Sequence, residues 1–280
     1  MRRPSSRPSS TPGPLSTARP SVAPRSIHGG RHELGQNFLA HAPTARTIAS
    51  LVAASPGTIL EIGPGDGALT AALVRLDRPL VAVELDEHRA RRLRKRFEHA
   101  PRLEVRCADA LRTPLDAAVL VGNIPFHLTT PLLRRVLTAG TWQHAVLLTQ
   151  WEVARKRAGV GGATLMTAQT APWFTFSLHG RVPRERFRPV PSVDGGILGI
   201  RRRPSPLLPA RDRGGYERFV RQVFTGGGRG VRRILERTGR RSAQEVRSAL
   251  SHAGVPADAL PRDLAPEQWV RLWHVLGERR

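Results

Sequence analysis

The chain has 280 residues, enough to bury a full core and to form one or two domains. Its formal net charge is +23, a field that favours a polyanionic partner such as nucleic acid over a merely solvated basic surface. Cys107 is the single cysteine, which excludes an intramolecular disulfide and a cysteine-cluster metal site and fits a reducing cytoplasm. No apolar run is long enough to span a membrane.

The composition divides the chain into three segments. Residues 1–30 are rich in Pro, Ser and Arg and contain no acidic residue, so we expect a disordered basic tail there. Short strands and helices alternate over residues 31–203, which predicts one α/β domain. A proline-rich linker then leads into residues 204–280, where helical periodicity and many arginines predict a small helical RNA-binding domain.

The first strand-to-helix turn has the composition of a ligand site. A short apolar strand, residues 58–62, runs into a glycine-rich turn in which Gly63 and Gly65 let a ligand approach the backbone. The next strand ends in Glu84, 19 residues after Gly65, where a carboxylate can accept both hydroxyls of a ribose. The turn reads G-x-G-x-G and lacks the third glycine of a dinucleotide fingerprint, so a ribose with a small charged tail fits better than a nicotinamide dinucleotide.

Two further stretches add polar groups to this region. A third strand, residues 103–107, leads to Asp109 and Ala110, and the Asp109 carboxylate can accept from the amino group of an adenine. A strand-end aspartate is also a common helix cap. Upstream, Gln36 and Asn37 precede an apolar pair, which predicts a segment that packs by its apolar residues and presents its two amides to a ligand.

A fourth buried strand, residues 117–121, precedes the sequence Asn123-Ile124-Pro125-Phe126. We expect these four residues on the loop at the carboxyl end of the strand, where open α/β sheets bind ligands. An amide and a backbone carbonyl can accept from the exocyclic amine of a planar base, and the ring can stack on its face. An ordinary Asn-X-Pro turn with a core phenylalanine is the alternative interpretation.

A stiff basic loop follows later in the chain, over residues 183–192. Arg184 and Arg186 could contact RNA phosphates there, and Phe187 could offer a second stacking face. An ordinary connecting loop has a similar composition.

Taken together, these motifs resemble those of the Erm-type 23S rRNA adenine N6-methyltransferases, which are relatives of the small-subunit rRNA dimethyladenosine transferases. The resemblance covers about residues 31–203 and depends on the motifs LGQNFL (34–39), EIGPG (61–65), VELD (83–86), DA (109–110), GNIPF (122–126) and PRERF (183–187). It implies a Rossmann-like, S-adenosylmethionine-dependent methyltransferase sheet with a small all-helical C-terminal domain, acting as a cytoplasmic monomer without a metal.

The resemblance also assigns roles to the residues. Around S-adenosylmethionine it implies Asn37 and Leu39 at the methionine end, Gly63 beneath it, Glu84 at the ribose, Asp109 at the adenine amine and Asn123 next to the sulfonium. Asn123, Ile124, Pro125 and Phe126 match the catalytic tetrad of the family, whose last position is commonly tyrosine. Phenylalanine keeps the stacking face and loses only a hydroxyl contact.

The implied reaction is methylation of the N6 atom of one adenine in the peptidyl-transferase region of 23S rRNA, with resistance to macrolide, lincosamide and streptogramin B antibiotics. A small-subunit rRNA dimethyltransferase is the nearest alternative. Ile124 resembles the Erm side, since the small-subunit enzymes usually have leucine at that position. A nucleic-acid-binding factor that keeps the fold without catalysis is the alternative from another class, and the complete Asn-Ile-Pro-Phe sequence argues against it.

Overall fold

The computed structural model describes residues 37–238 and 241–277, so the predicted tail and Gln36 lie outside the described residues. The strands are β1 (Phe38–Leu39), β2 (Ile59–Ile62), β3 (Leu80–Glu84), β4 (Leu103–Cys107), β5 (Val119–Asn123), β6 (His144–Gln150), β7 (Phe174–Val182), β8 (Phe187–Arg188) and β9 (Gly195–Arg202). The helices are α1 (Ala42–Ala53), α2 (Ala68–Val74), α3 (Glu87–Arg96), α4 (Thr129–Thr138), α5 (Trp151–Arg157), α6 (Leu165–Thr170), α7 (Arg213–Thr225), α8 (Val231–Arg237), α9 (Ala243–Ala253) and α10 (Pro266–Leu276).

Seven of the strands form one sheet in the order β4-β3-β2-β5-β6-β9-β7. The first five of these are parallel, and β9 and β7 close the sheet as an antiparallel pair. The chain moves from β2 outwards to β4 and then returns to place β5 on the other side of β2. The carboxyl ends of β2 and β5 therefore meet at a topological switch point, where open α/β sheets bind their ligands. The predicted α/β fold class is confirmed.

The sheet is buried because its central strands are nearly continuous apolar runs. All four residues of β2 and six of the seven residues of β6 are buried, as expected for parallel strands that helices cover on both faces. Gly122 allows β5 to lie close to β2, since a Cβ atom at this position would be 2.5 Å from the carbonyl oxygen of Ile62.

The C-terminal helices α7 to α10 pack around an aromatic cluster. Phe219 lies edge-on to Trp269, and Tyr216 lies edge-on to Trp273. The two tryptophans are 1% and 3% exposed and belong to the core. Trp173 contacts Tyr216, so the apolar core continues from the sheet into the helices. The boundary at residue 204 marks a change of secondary structure within one compact unit, and RNA binding by the helices stays a prediction.

No helix within residues 37–238 and 241–277 combines the length and the apolar character that a membrane crossing needs. The same described residues contain no cluster of three or more His, Cys, Asp or Glu side chains with the arrangement of a metal site.

Candidate active site

The order of the strands brings the predicted site residues to one edge of the sheet. Gly63 follows β2, Glu84 ends β3, Asp109 follows β4, and Asn123 ends β5. These strands are neighbours in the order β4-β3-β2-β5 and are parallel, so their carboxyl ends lie side by side. Glu84 and Asp109 are thus on one side of the glycine turn, and Asn123 is on the other.

Backbone groups hold the Glu84 carboxylate in place. The residue is 6% exposed, and its two oxygens accept the N–H groups of Gly65 and Asp86, each at 3.0 Å. A carboxylate oxygen has more than one acceptor site, so each can still accept from a hydroxyl. Glu84 therefore offers two fixed acceptors for a vicinal diol.

The glycines of the turn differ in what lies over them. Gly63 and Gly65 have φ values of +64° and +56°, in the left-handed region that glycine adopts without strain. A Cβ atom at Gly63 would meet no atom closer than the Asn123 carbonyl oxygen at 4.0 Å, whereas at Gly65 it would lie 2.6 Å from the Phe38 ring. Arg89 covers the Phe38 ring in turn, with its guanidinium carbon 4.1 Å from the ring centroid. The open space of the turn is above Gly63.

The short segment at β1 is tied directly to the Asn123 side chain. The Nδ2 atom of Asn123 donates to the Asn37 carbonyl at 2.8 Å. This bond fixes the amide and leaves Oδ1 as the atom that can accept from a ligand. The Leu39 side chain is 5% exposed and belongs to the core, so this residue can line a ligand site only through its backbone.

The loop after β5, which would be the catalytic loop, begins later than the sequence indicated. The predicted strand covered residues 117–121, but β5 runs from Val119 to Asn123, so Asn123 is a strand residue and not a loop residue. The Ile124 N–H donates to the Leu148 carbonyl at 2.8 Å, which continues the pairing with β6 for one more residue. Asn123 is therefore held by the sheet itself, which makes it more rigid than a loop position.

A tight turn then presents the aromatic ring. The Pro125 carbonyl accepts the N–H of Leu128 at 2.9 Å and closes a 3-10 turn over Phe126–Leu128. Phe126 is half-buried. Helix α4 begins at Thr129, whose hydroxyl lies 3.0 Å from that of Thr149 on β6. This contact fixes the loop to the neighbouring strand.

Asp109 has a structural role and also has an oxygen left for a ligand. Its Oδ1 accepts the Leu111 N–H at 2.8 Å, so it caps the turn after β4, whereas the alternative interpretation was a helix cap. The second oxygen is 3.7 Å from the Arg112 guanidinium, a weak contact because both side chains are solvent-accessible. Ala110 beside it is half-buried.

Glu61 is a buried carboxyl group to which the sequence assigned no role. It is 1% exposed, and one of its oxygens accepts the Thr70 hydroxyl at 2.7 Å. The other oxygen, Oε1, is buried without a hydrogen-bond partner among the described residues. Burial raises the pKa of Glu61 to about 8, and the nearby charge of Glu84 adds to this increase. The orphaned oxygen shows that the edge near the glycine turn contains an unused polar group.

The structure corrects the role expected for Phe187. This residue is 1% exposed, pairs with Leu39 in the two-stranded β1–β8 ribbon and belongs to the core, so its ring is not a face open to a base. Arg184 and Arg186 of the same loop are exposed, as a contact with phosphate would require. Trp151, directly after β6, is a half-buried aromatic to which the sequence assigned no role. Its position directly after an apolar strand was the available signal.

Comparisons with known proteins agree with this geometry. The family model described as ribosomal RNA adenine dimethylase matches residues 27–278. The mycinamicin-resistance protein MyrB of Micromonospora griseorubida is 49% identical over 253 residues, which cover 89% of this chain and 80% of MyrB. An rRNA adenine N-6-methyltransferase of Corynebacterium diphtheriae is 52% identical over 212 residues, 75% of this chain and 83% of that protein.

A solved structure extends the similarity to three dimensions. The crystal structure of the 23S rRNA methyltransferase ErmE superposes with a TM-score of 0.77 at 37% identity, over 86% of this chain and 99% of the other. The family resemblance and the methyltransferase fold expected from the sequence are therefore confirmed. This chain belongs to the ribosomal RNA adenine dimethylase family.

Proposed function

We propose that this protein transfers a methyl group from S-adenosylmethionine to the N6 atom of one adenine in 23S rRNA. One observation carries the chemical part of the proposal. The side-chain amide of Asn123 is fixed by its bond to the Asn37 carbonyl, and its Oδ1 atom remains to accept a hydrogen bond from the target amine. Membership of an rRNA adenine methylating family supports the reaction type. The names of its relatives, which include a 23S rRNA methyltransferase, support the large-subunit target.

The edge of the sheet fits S-adenosylmethionine in its donor set. Glu84 would hold the ribose hydroxyls, because its carboxylate is already oriented by two backbone N–H groups. Asp109 would accept from the adenine amine through the oxygen that does not cap the turn. The open space above Gly63 would hold the part of the cofactor near the sulfonium, next to Asn123. When bound, the cofactor supplies a methyl group that is already activated by the positive charge on sulfur.

The residues of this chain then act on the target amine. An adenine amine is a poor nucleophile because its lone pair is delocalised into the ring. The Oδ1 atom of Asn123 and the carbonyl of Ile124 would accept its two protons as hydrogen bonds and allow the nitrogen to become pyramidal. The lone pair would then point towards the cofactor side of the sheet. The methylated amine is acidic and releases its extra proton to water, so no side chain has to act as a strong base. Positioning and electrostatics supply the rate.

Phe126 would stabilise the adenine outside the RNA stack. An enzyme that reacts at a base edge must extrude the nucleotide, at a cost of a few kcal/mol. Stacking on an aromatic ring contributes about 1–3 kcal/mol per base and offsets this cost. The 3-10 turn after Pro125 fixes the Phe126 backbone next to Asn123, so one loop supplies both the hydrogen bonds and the stacking face.

The same reaction would give macrolide, lincosamide and streptogramin B resistance. Methylation of an adenine in the peptidyl-transferase region adds bulk where these drugs bind. MyrB, which shares 49% identity with this chain, is named as a mycinamicin-resistance protein. We also propose that the chain acts as a monomer on the RNA and that the arginines of residues 204–280 contribute to RNA binding.

Methyl transfer to defined RNA substrates tests the proposal. The purified protein is incubated with labelled S-adenosylmethionine and, separately, with protein-free 23S rRNA and with pre-30S particles. We expect label at one adenine of the 23S transcript and none in the small-subunit particle. Label only in the pre-30S particle would identify a small-subunit enzyme, and RNA binding without any transfer would identify a non-catalytic factor.

A resistance assay adds a second readout. Expression in a macrolide-sensitive bacterium should raise the inhibitory concentrations of a macrolide, a lincosamide and a streptogramin B together. Expression of the Asn123→Ala variant to the same level should leave them unchanged. Resistance from the Asn123→Ala variant would contradict a methylation mechanism.

A further inference from the structure

The edge of the sheet continues past the catalytic loop to a second cavity. Asn123 of β5 pairs with Leu148 of β6, and Trp151 follows three residues later, directly after β6 ends. Neighbouring strands lie about 4.8 Å apart, so the end of β6 is the position next to the catalytic loop. Glu84 and Asp109 are on the opposite side of that loop. The cavity therefore lies on the half of the edge that the proposed cofactor does not use.

This cavity has a volume of about 520 Å³, and its lining combines the groups that bind a nucleotide. Gln150, Trp151, Arg181 and Arg184 contribute to its walls. The half-buried indole supplies a stacking face, the Gln150 amide can donate to and accept from a base edge, and the exposed Arg184 guanidinium can pair with a phosphate.

The Trp151 ring is held in place before any ligand binds. A Cβ atom at Gly196 of β9 would lie 3.2 Å from an indole ring carbon, so the ring rests against a backbone that has no side chain. The backbone N–H of Trp151 donates to the backbone carbonyl of Asp194 at 2.8 Å, which fixes the residue that carries the ring. The Arg181 guanidinium lies over the ring, 5.5 Å from its centroid, so a base that stacks on this face takes the place of the guanidinium. A fixed ring loses little conformational entropy when a base stacks on it.

The two carboxylates at the cavity already have cationic partners. Asp194 accepts from the Arg181 side chain at 2.5 Å and from the Arg184 backbone N–H at 2.9 Å, and it is 19% exposed. Glu152 accepts from Arg155 at 3.1 Å. Their negative charge is thus largely compensated, and the cavity does not repel a phosphate as two unpaired carboxylates would.

We propose that this cavity binds the nucleotide next to the target adenine, with its base stacked on Trp151. The inference depends on the proposed function, because it places the neighbouring nucleotide of the same RNA strand. Extrusion of the adenine separates it from its neighbours, and a second stacking face one strand away stabilises the opened strand. Gln150 then contacts the edge of the stacked base and gives the enzyme a preference at this position.

Tryptophan fluorescence tests the stacking directly. The five tryptophans all lie within the described residues, and four of them are buried while Trp151 is not. Binding of a 23S rRNA fragment that carries the mapped adenine should quench the wild-type fluorescence, and Trp151→Phe should remove most of that quenching. Trp173→Phe is the matched control, because Trp173 is buried and its Nε1 atom makes no hydrogen bond that the substitution could break. Equal quenching in wild type and Trp151→Phe would overturn the proposal.

An abasic substitution in the RNA identifies the contact. Removal of the base on the 5′ or the 3′ side of the target adenine should weaken binding to wild type roughly 5- to 150-fold at one of the two positions. Trp151→Ala should bind the intact RNA more weakly by the same factor, and the abasic site should not weaken its binding further. Trp151→Phe should keep most of the wild-type affinity and most of the sensitivity to the abasic site. Undiminished sensitivity in Trp151→Ala would refute the assignment. If wild type methylates no rRNA, the proposed function has failed instead.

Discussion

Replacement of Glu61 by glutamine should remove a large part of the pH dependence of stability. Glu61 is 1% exposed, and its pKa is raised from an ordinary value of 4.5 to about 8 by burial. The folded protein therefore binds this proton more tightly than the unfolded chain does. The stability that the proton contributes is fully present below pH 4.5 and is lost as the pH rises towards 8.

The size of the effect follows from the same two pKa values. Between pH 5 and pH 7 the unfolded carboxyl group loses its proton while the folded one keeps it, which lowers the free energy of unfolding by about 2.5 kcal/mol. Glutamine keeps an oxygen that can accept the Thr70 hydroxyl and carries no titrating proton. The amide nitrogen of the glutamine has no hydrogen-bond partner and lowers the free energy of unfolding by a similar amount at every pH. The test therefore depends on how the free energy of unfolding changes with pH and not on its absolute value.

Denaturant unfolding of the cofactor-free protein measures this slope. The free energy of unfolding of wild type and Glu61→Gln is determined by urea titration at several pH values from 5 to 8.5. We expect the difference between the two proteins to change by about 2.5 kcal/mol from pH 5 to pH 7, in favour of the variant at the higher pH. Glu104→Gln, a change at an exposed site, controls for surface charge. Parallel pH profiles for wild type and Glu61→Gln would refute the buried, protonated state.

Three further substitutions test separate parts of the site. Glu84→Gln should raise the Kd for S-adenosylmethionine about 10- to 100-fold by calorimetry, because the amide keeps one uncharged acceptor oxygen and replaces the other with an NH2 donor, and an unchanged Kd would place the ribose elsewhere. Phe126→Ala should lower kcat/KM for RNA about 5- to 150-fold while Phe126→Tyr retains activity, and equal losses in both would exclude a stacking role. Gly122→Ala should destabilise the fold in thermal unfolding, since its Cβ would lie 2.5 Å from the Ile62 carbonyl oxygen, and a wild-type Tm would contradict the close approach of β2 and β5.

The sequence was most informative where the structure depends on local patterns. Short apolar runs located β2 to β5, and the polar residues or glycines at their carboxyl ends indicated which groups meet at the edge of the sheet. The end of β5 was misplaced, because its last residues are fixed by pairing with β6 and not by their own apolar character. Asn123 therefore looked like a loop residue when it is part of the sheet.

The roles of the aromatic residues could not be predicted in this way. Phe187 is the first residue of a short strand, and Trp151 is the first residue of a short helix. The residues around them in the sequence do not indicate which of the two is buried. The ring of Phe187 packs against Gly195, and Trp151 rests against Gly196, so two adjacent glycines of β9 decide both positions. Such contacts depend on how separate strands and loops fold against each other, and a sequence pattern does not contain them.

The most direct test of the central claim is methyl transfer by the Asn123→Ala variant in a single turnover, together with its affinity for the same RNA. In the proposed mechanism the side-chain oxygen of Asn123 contacts the amine during the reaction but makes only one of many contacts with the RNA. We expect the rate of transfer to fall about 10²- to 10³-fold or more, while the Kd for RNA changes by less than about threefold. A variant that transfers methyl groups at the wild-type rate would contradict the assignment of Asn123 as the residue that holds the target amine.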